Sequence, residues 1–153
     1  MADPSHVVCP HCRSVNRVPP GRPAAAGHCG SCHGALFDGH PVEVDEAGFD
    51  RHLNANGIAV LLDVWAPWCG PCRTMAPMFE RAASILEPRV RLLKLNADTS
   101  SNVTARLGVR GIPTIFLFRE GALLAQQSGG MTEGEIVRWT NEALARPMQQ
   151  ATA

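Results

Sequence analysis

The rhythm of apolar and polar positions changes near residue 41. From there on, near-continuous apolar runs alternate with segments of helical period. Ile58–Ala66 is an almost unbroken apolar run, as a strand covered on both faces requires. Pro41–Val44 and Val90–Leu95 read as further strands. Thr114–Arg119 and Ala122–Gln127 flank Glu120-Gly121 and predict a hairpin. Helices are predicted over 45–54, over 72–86 with an interruption at Pro77, over 101–107 and over 132–145. In the last of these, Thr132 as N-cap and Glu135 three residues later form a capping-box pattern. Pro147 stops that helix, and 148–153 is expected to be a flexible tail. The alternation is that of an α/β domain.

Residues 1–40 have a different texture. They hold four cysteines, most of the histidines and a turn-rich stretch, Val18–Gly27, but few large apolar residues. Such a segment cannot build a core alone, so something other than apolar burial must fold it. The chain therefore divides into a small module at 1–40 and a domain at 41–147, joined near Asp38-Gly39-His40-Pro41.

Charge and targeting narrow the function. Net charge is zero, which argues against nucleic acid as the main partner, since phosphate binding needs a basic surface. Residues 1–8 have neither the basic start nor the apolar stretch of a secretory signal. The longest apolar run is broken by Asp63 and too short to span a bilayer, so no membrane association is expected. The expected compartment is the cytoplasm, where clustered thiols act as metal ligands or redox centres.

All six cysteines fall into Cys-x-x-Cys pairs. Cys9/Cys12 and Cys29/Cys32 are sixteen residues apart, a zinc-site spacing. Four thiolate ligands leave no open position, so one structural Zn²⁺ is expected, and its binding would supply the folding free energy that the segment lacks. Two rivals stay open here. Cys9-Pro10-His11-Cys12 could act as a separate redox pair, although it lacks a preceding buried strand and a following helix, and His11, His28 or His33 could replace a cysteine ligand. Cys69/Cys72 lies where a buried strand meets a helix N-terminus, whose free N–H groups and partial positive charge favour thiolate. Cys69 is expected to be the exposed attacking sulfur and Cys72 the shielded one. Asp63 interrupts an apolar run and is expected to be buried, with a raised pKa.

Trp68-Cys69-Gly70-Pro71-Cys72 resembles the active site of the thioredoxin family, and the resemblance extends over 41–146. Asp63 and Trp65 stand where that family carries a buried acid and a tryptophan, and Pro77 where a proline kinks the active-site helix. Arg110-Gly111-Ile112-Pro113-Thr114 is similar to the segment holding the family's cis-proline, and Gly121 and Gly129 match glycines near its substrate groove. Val64 stands in place of the usual Phe, Arg73 in place of Lys and Gly130 in place of Ala. With the first two cysteine pairs included, the whole chain is similar to the thioredoxin 2 branch, which carries an N-terminal zinc-ribbon-like extension.

This resemblance implies a thioredoxin fold, a mixed central sheet flanked by helices, with a small zinc-ribbon-like module at its N-terminus. It implies a protein disulfide reductase in which Cys69 attacks a substrate disulfide and Cys72 resolves the mixed disulfide. Trp68, Gly70, Pro71, Ile112, Pro113 and Gly129 would meet substrate. Asp63 would take or relay the proton of Cys72, and Lys94, the single lysine beside thirteen arginines, would tune Asp63. No tightly bound organic cofactor is implied. The implied partners are an NADPH-dependent thioredoxin reductase and disulfide-containing proteins such as peroxide-reducing or ribonucleotide-reducing enzymes, and a monomer is expected. Two other functions stay open: a disulfide oxidase or isomerase on the same fold, opposed by Gly70-Pro71, and a zinc-dependent client-holding module, favoured because a reductase does not require residues 1–40.

Overall fold

A computed structural model describes residues 5–146. The tail expected at 148–153, and Pro147 before it, lie outside the described residues. The N-terminal segment carries two short strands the sequence pattern did not reveal, β1 (Ser5–Val8) and β2 (Val15–Val18), which pair antiparallel. Four residues each are too few to display a period, and only Val7 and Val8 are fully buried.

Beyond residue 41 the elements follow the predicted order: β3 (Val42–Val44), α1 (Glu46–Ala55), β4 (Ala59–Trp65), α2 (Gly70–Leu86), β5 (Val90–Asn96), α3 (Ser101–Leu107), β6 (Thr114–Arg119), β7 (Ala122–Ser128) and α4 (Glu133–Ala145). They form a thioredoxin fold, a mixed five-stranded sheet in the order β3-β5-β4-β6-β7. β3, β5 and β4 run parallel; β6 and β7 run antiparallel to their neighbours. One face packs Leu61, Leu92, Ile115 and Leu117 under α2 and α4, and the other packs Val60, Leu62, Leu93 and Phe116 with Phe49 and Val103 of α1 and α3. Among the described residues no helix is long and apolar enough to cross a membrane.

Two expectations about α2 change. It begins at Gly70 rather than Cys72, because Cys69 is the N-cap and its sulfur accepts the Cys72 N–H at 3.2 Å. Pro71 then sits in the first turn, where its missing N–H costs nothing. The helix also runs on through Pro77 without interruption. Proline costs a helix interior about 3 kcal/mol, but Met75, Phe79, Ala82, Ala83 and Leu86 are buried on both sides of it and hold the two halves in line.

The N-terminal segment docks on the N-terminal ends of β4 and β5. Its small core of Val7, Leu36 and Phe37, with Cys9 and Cys29, is completed by Ile58 from just before β4. The Val8 N–H donates to Asn56 Oδ1 at 2.8 Å. Arg91, 1% exposed, donates to the carbonyls of Val8 (3.2 Å) and Leu36 (2.8 Å), and its guanidinium lies 4.6 Å from the Phe37 ring centroid. Its countercharge is Glu87, 3.7 Å away and half-buried. Asn56 is set in turn by buried His52, whose Nδ1 accepts from the Asn56 amide at 3.0 Å. Burial, with Arg91, Arg13 and Arg51 nearby, pushes the His52 pKa down to about 3, so it stays neutral. Gly57 donates to the His6 carbonyl at 2.7 Å, and a Cβ there would come within 3.1 Å of the His6 nitrogen, so a larger residue would crowd this approach.

Arg91→Ala leaves two buried carbonyls without their donor and Glu87 without its countercharge. We expect it to lower stability by about 3 kcal/mol and to speed hydrogen exchange at the Val8 amide, read by urea unfolding and exchange measurements.

Candidate functional site

β4 delivers Cys69 to the start of α2 through a tight turn in which the Cys69 N–H bonds the Ala66 carbonyl at 3.1 Å. Cys69 and Cys72 are joined as a disulfide. The Cys72 N–H aimed at Cys69 Sγ, together with the helix dipole, favours a thiolate at Cys69 once that bond opens. Cys69 borders a groove of about 510 Å³ with Trp68, Pro71, Val109, Arg110 and Ile112; Cys72 does not border it. The expected exposure of Cys69 is not found: it is 4% exposed and Cys72 3%. In the bonded state the two sulfurs cover each other, and Ala66, Trp65 and Ile112 pack around them. The difference between the two is one of direction rather than of exposed area.

The groove's far wall comes from the segment before β6. Ile112-Pro113 is a cis peptide, and Cys69 Sγ lies 3.8 Å from the Ile112 carbonyl oxygen. The ladder with β7 begins at Thr114, so Ile112 stands outside it. Gly129, at φ 98°, donates to the Pro113 carbonyl at 2.9 Å; the left-handed backbone there suits glycine. Trp68 is 68% exposed and anchored by its Nε1–H to Asp98 Oδ1 at 3.0 Å. Trp65 is half-buried beside the cysteine pair. Gly121 is not at this site. It occupies the β6–β7 turn, at the opposite end of the hairpin from Thr114, where φ 79° again favours glycine.

Asp63 is 1% exposed, and its Oδ1 has no hydrogen-bond partner among the described residues. It shares its strand face with Leu61, under α2. Burial pushes its pKa up to about 7; Lys94 opposes that shift and Glu43 adds to it. Lys94 pairs with Asp63 in register across β4 and β5, as its place on the adjacent strand predicted.

The other four cysteines meet between the two turns of the N-terminal segment that carry them. Their sulfurs all lie within 4.8 Å of one another, with Cys9–Cys32 at 3.6 Å and Cys12–Cys29 at 3.5 Å. Sulfurs on a tetrahedral zinc at the usual bond length stand about 3.8 Å apart, so the set fits that ion. The two turns are near copies. Each first cysteine accepts N–H bonds from the residues two and three positions on, His11 and Cys12 on Cys9, Ser31 and Cys32 on Cys29. Each turn closes through a left-handed residue, Arg13 at φ 68° and His33 at φ 67°. Four thiolates this close repel unless a cation shares their charge. The N–H of Cys32, then Asn16, lowers Cys29 to about 5. Cys32, despite the Gly34 N–H that lowers it, is pushed to about 11 by burial and the neighbouring sulfurs.

The rivals for this site separate on geometry. A strand does precede Cys9, contrary to expectation, but it belongs to a two-stranded ribbon and no helix begins at Cys12, so Cys9 lacks the environment of Cys69. No histidine joins the cluster among the described residues, and His11 Nε2 lies instead 3.2 Å from the Ala35 carbonyl. Sequence reasoning missed Asn16, whose Oδ1 accepts the Gly30 N–H at 2.9 Å and braces the second turn. A polar residue in a turn-rich stretch carries no signal of that role.

Comparison with known proteins agrees with this division. A thioredoxin family model matches residues 40–142, and a model described as thioredoxin 2, N-terminal, a zinc ribbon, matches residues 8–34. The chain is 36% identical over 138 residues to thioredoxin C-3 of Corynebacterium nephridii, covering 90% of this chain and 94% of that protein. It is 38% identical over 98 residues to a thioredoxin of Pseudomonas aeruginosa, covering 63% and 90%. A solved mutant thioredoxin from Halobacterium salinarum superposes with a TM-score of 0.64 at 26% identity, over 72% of this chain and 96% of that one.

Asp63 carries a stability signature. Its pKa of about 7 lies above the ordinary 3.8, so the fold favours the protonated acid. The cost of ionising it sets in as pH rises above the unfolded value and is complete above the folded one, at about 4 kcal/mol. Asp63→Asn is expected to stabilise the oxidised protein by up to that amount at about pH 8 and not at all near pH 4, as read by urea unfolding across the range.

Proposed function

The chain belongs to the thioredoxin family of protein disulfide oxidoreductases, and from that premise we propose that it reduces disulfides in other proteins. The observation that carries the reading is the pairing of Cys69 Sγ, on the N-terminus of α2, with the open groove under Ile112. In the reduced protein the Cys69 thiolate attacks one sulfur of a substrate disulfide, forming a mixed disulfide and expelling the other sulfur as thiolate. Cys72 gives up its proton toward Asp63, whose pKa near neutrality suits it to receive one. The Cys72 sulfur then attacks Cys69 Sγ, the substrate leaves with two thiols, and Cys69–Cys72 is left oxidised.

Trp68, Gly70, Pro71, Ile112, Pro113 and Gly129 form the surface that receives an extended substrate segment. Ile112 can offer backbone groups outside the β6–β7 ladder, in the manner of an added strand. Lys94 tunes Asp63. Two electrons per turnover return from NADPH through a flavin-containing thioredoxin reductase. The substrates are disulfide-forming enzymes such as those that reduce peroxides or ribonucleotides, the compartment is the cytoplasm and the working form is a monomer.

Residues 1–40 act as a zinc-binding module and 41–147 as the redox domain. Cys9, Cys12, Cys29 and Cys32 would hold one structural Zn²⁺. Bound there, the ion supplies charge neutralisation for four thiolates and the folding free energy that a core-poor segment needs.

Cys69→Ser is expected to abolish reduction of insulin disulfides, and Cys72→Ser to trap the mixed disulfide, visible as a covalent adduct on a non-reducing gel. Metal analysis with thiol counting is expected to find one zinc per chain, four thiols released only when the metal is extracted, and one pair that cycles with NADPH and reductase. Insulin reduction surviving in Cys69→Ser overturns the assignment.

A further inference from the structure

Glu43 lies on β3, the outermost strand, and pairs in register with Lys94, which pairs in register with Asp63. Residues in register on neighbouring parallel strands point to the same face. Leu61, Leu92 and Ile115 place that face under α2, while Val42 and Val44 on either side of Glu43 belong to the opposite core. The row therefore reads carboxylate, ammonium, carboxylate from the sheet edge inward.

Trp65, two residues after Asp63 on the same face, ties the outer two members together. Its Nε1–H donates to Glu43 Oε2 at 3.2 Å, and Lys94 Nζ lies 4.7 Å from its ring centroid. The one indole thus contacts both the Glu43 carboxylate and the Lys94 ammonium. The other side of Glu43 opens to a surface cavity bordered by Arg13, Asp45, Asn96 and Thr99.

We propose that Glu43 is a positioning residue for the redox reaction, competing with Asp63 for the Lys94 ammonium across the sheet row and so weakening the hold of that ammonium on Asp63. The proposal rests on the reductase reading, in which Asp63 handles the Cys72 proton. Beyond burial, the charged groups that act on Asp63 are Lys94, which lowers its pKa, and Glu43, which raises it. From α2, Cys72 and Met75 are buried toward the sheet and Arg73 is exposed; from β6, Ile115 stands opposite Asp63. Arg13 and Asp45, beside Glu43, are paired with each other at 2.8 Å and bring little net charge. Burial pushes the Glu43 pKa above its ordinary value, against the pull of the Trp65 N–H and Lys94.

The test separates charge from shape. Glu43→Gln keeps an oxygen to accept the Trp65 N–H and removes the charge. In the oxidised protein, the Asp63 carboxyl titration followed by carbon NMR is expected to move down by about 0.5 pH unit, to shrink in high salt, and to leave the Trp65 fluorescence spectrum unchanged. Glu43→Asp, which keeps the charge, is expected to return most of the shift. The acid limb of the insulin-reduction pH profile should move down with the Asp63 titration. An Asp63 midpoint unmoved or raised in Glu43→Gln overturns the proposal, as does the same shift in Glu43→Asp. The titration needs no turnover, so a parent protein that fails to reduce insulin refutes the reductase reading without touching this result.

Discussion

Burial of β4 is the constraint on which the rest of the structure depends. The strand is hydrogen-bonded on both edges, to β5 and β6, and covered on both faces. Water cannot reach it, so a polar side chain on it pays a desolvation cost that an edge strand would not impose. Asp63 sits on this strand, and its proton affinity near neutrality is the direct result. The same strand ends at Trp65, and the short turn after it places Cys69 at the N-terminus of α2. Proton acceptor and sulfur pair are thus two products of one buried element, with Cys69 six and Cys72 nine residues after Asp63.

The N-terminal segment is held on a different principle. Its apolar core is small, and its attachment is polar: Arg91, Asn56 and Gly57 satisfy main-chain groups of Val8, Leu36 and His6. Arg91 is buried at the end of β5, with Glu87 and the Phe37 ring as its other neighbours. A buried guanidinium with several acceptors specifies one docking geometry, since any displacement strands its donors without water. Arg13, next to Cys12, also reaches Asp45 at the N-cap of α1. The metal turns are therefore seated on the same scaffold that carries the redox pair.

One spacing serves two chemistries because the neighbouring groups differ. At Cys69 one N–H of a helix start, that of Cys72, points at a single sulfur, and the second sulfur is its bonding partner. At the N-terminal turns each first cysteine also accepts two N–H bonds, but four sulfurs converge from two hairpin-like turns. A pair alone can trade electrons by closing on itself. Two pairs facing each other instead make a closed tetrahedral donor set.

Most of the redox domain was legible in the chain itself. The strands are long apolar runs and the helices are long enough to show a period, so α3 and β6 fall where the pattern put them. Lys94 was legible as the single lysine beside thirteen arginines, and Asp63 because it interrupts an apolar stretch. Arg91 interrupts one in the same way, between Val90 and Leu92, but its acceptors lie more than fifty residues away in the sequence. Glu43 sits on an edge strand of three residues, too short for alternation to assign a face. The left-handed turns at Arg13 and His33 go against residue preference and are imposed by closure around the sulfurs. What the sequence determined by itself was local: the element order, the cysteine spacing and the burial of Asp63. Which pairs converge, what Arg91 holds and which charges share the sheet row with Asp63 were decided only by tertiary structure, because each depends on groups brought together from distant parts of the chain.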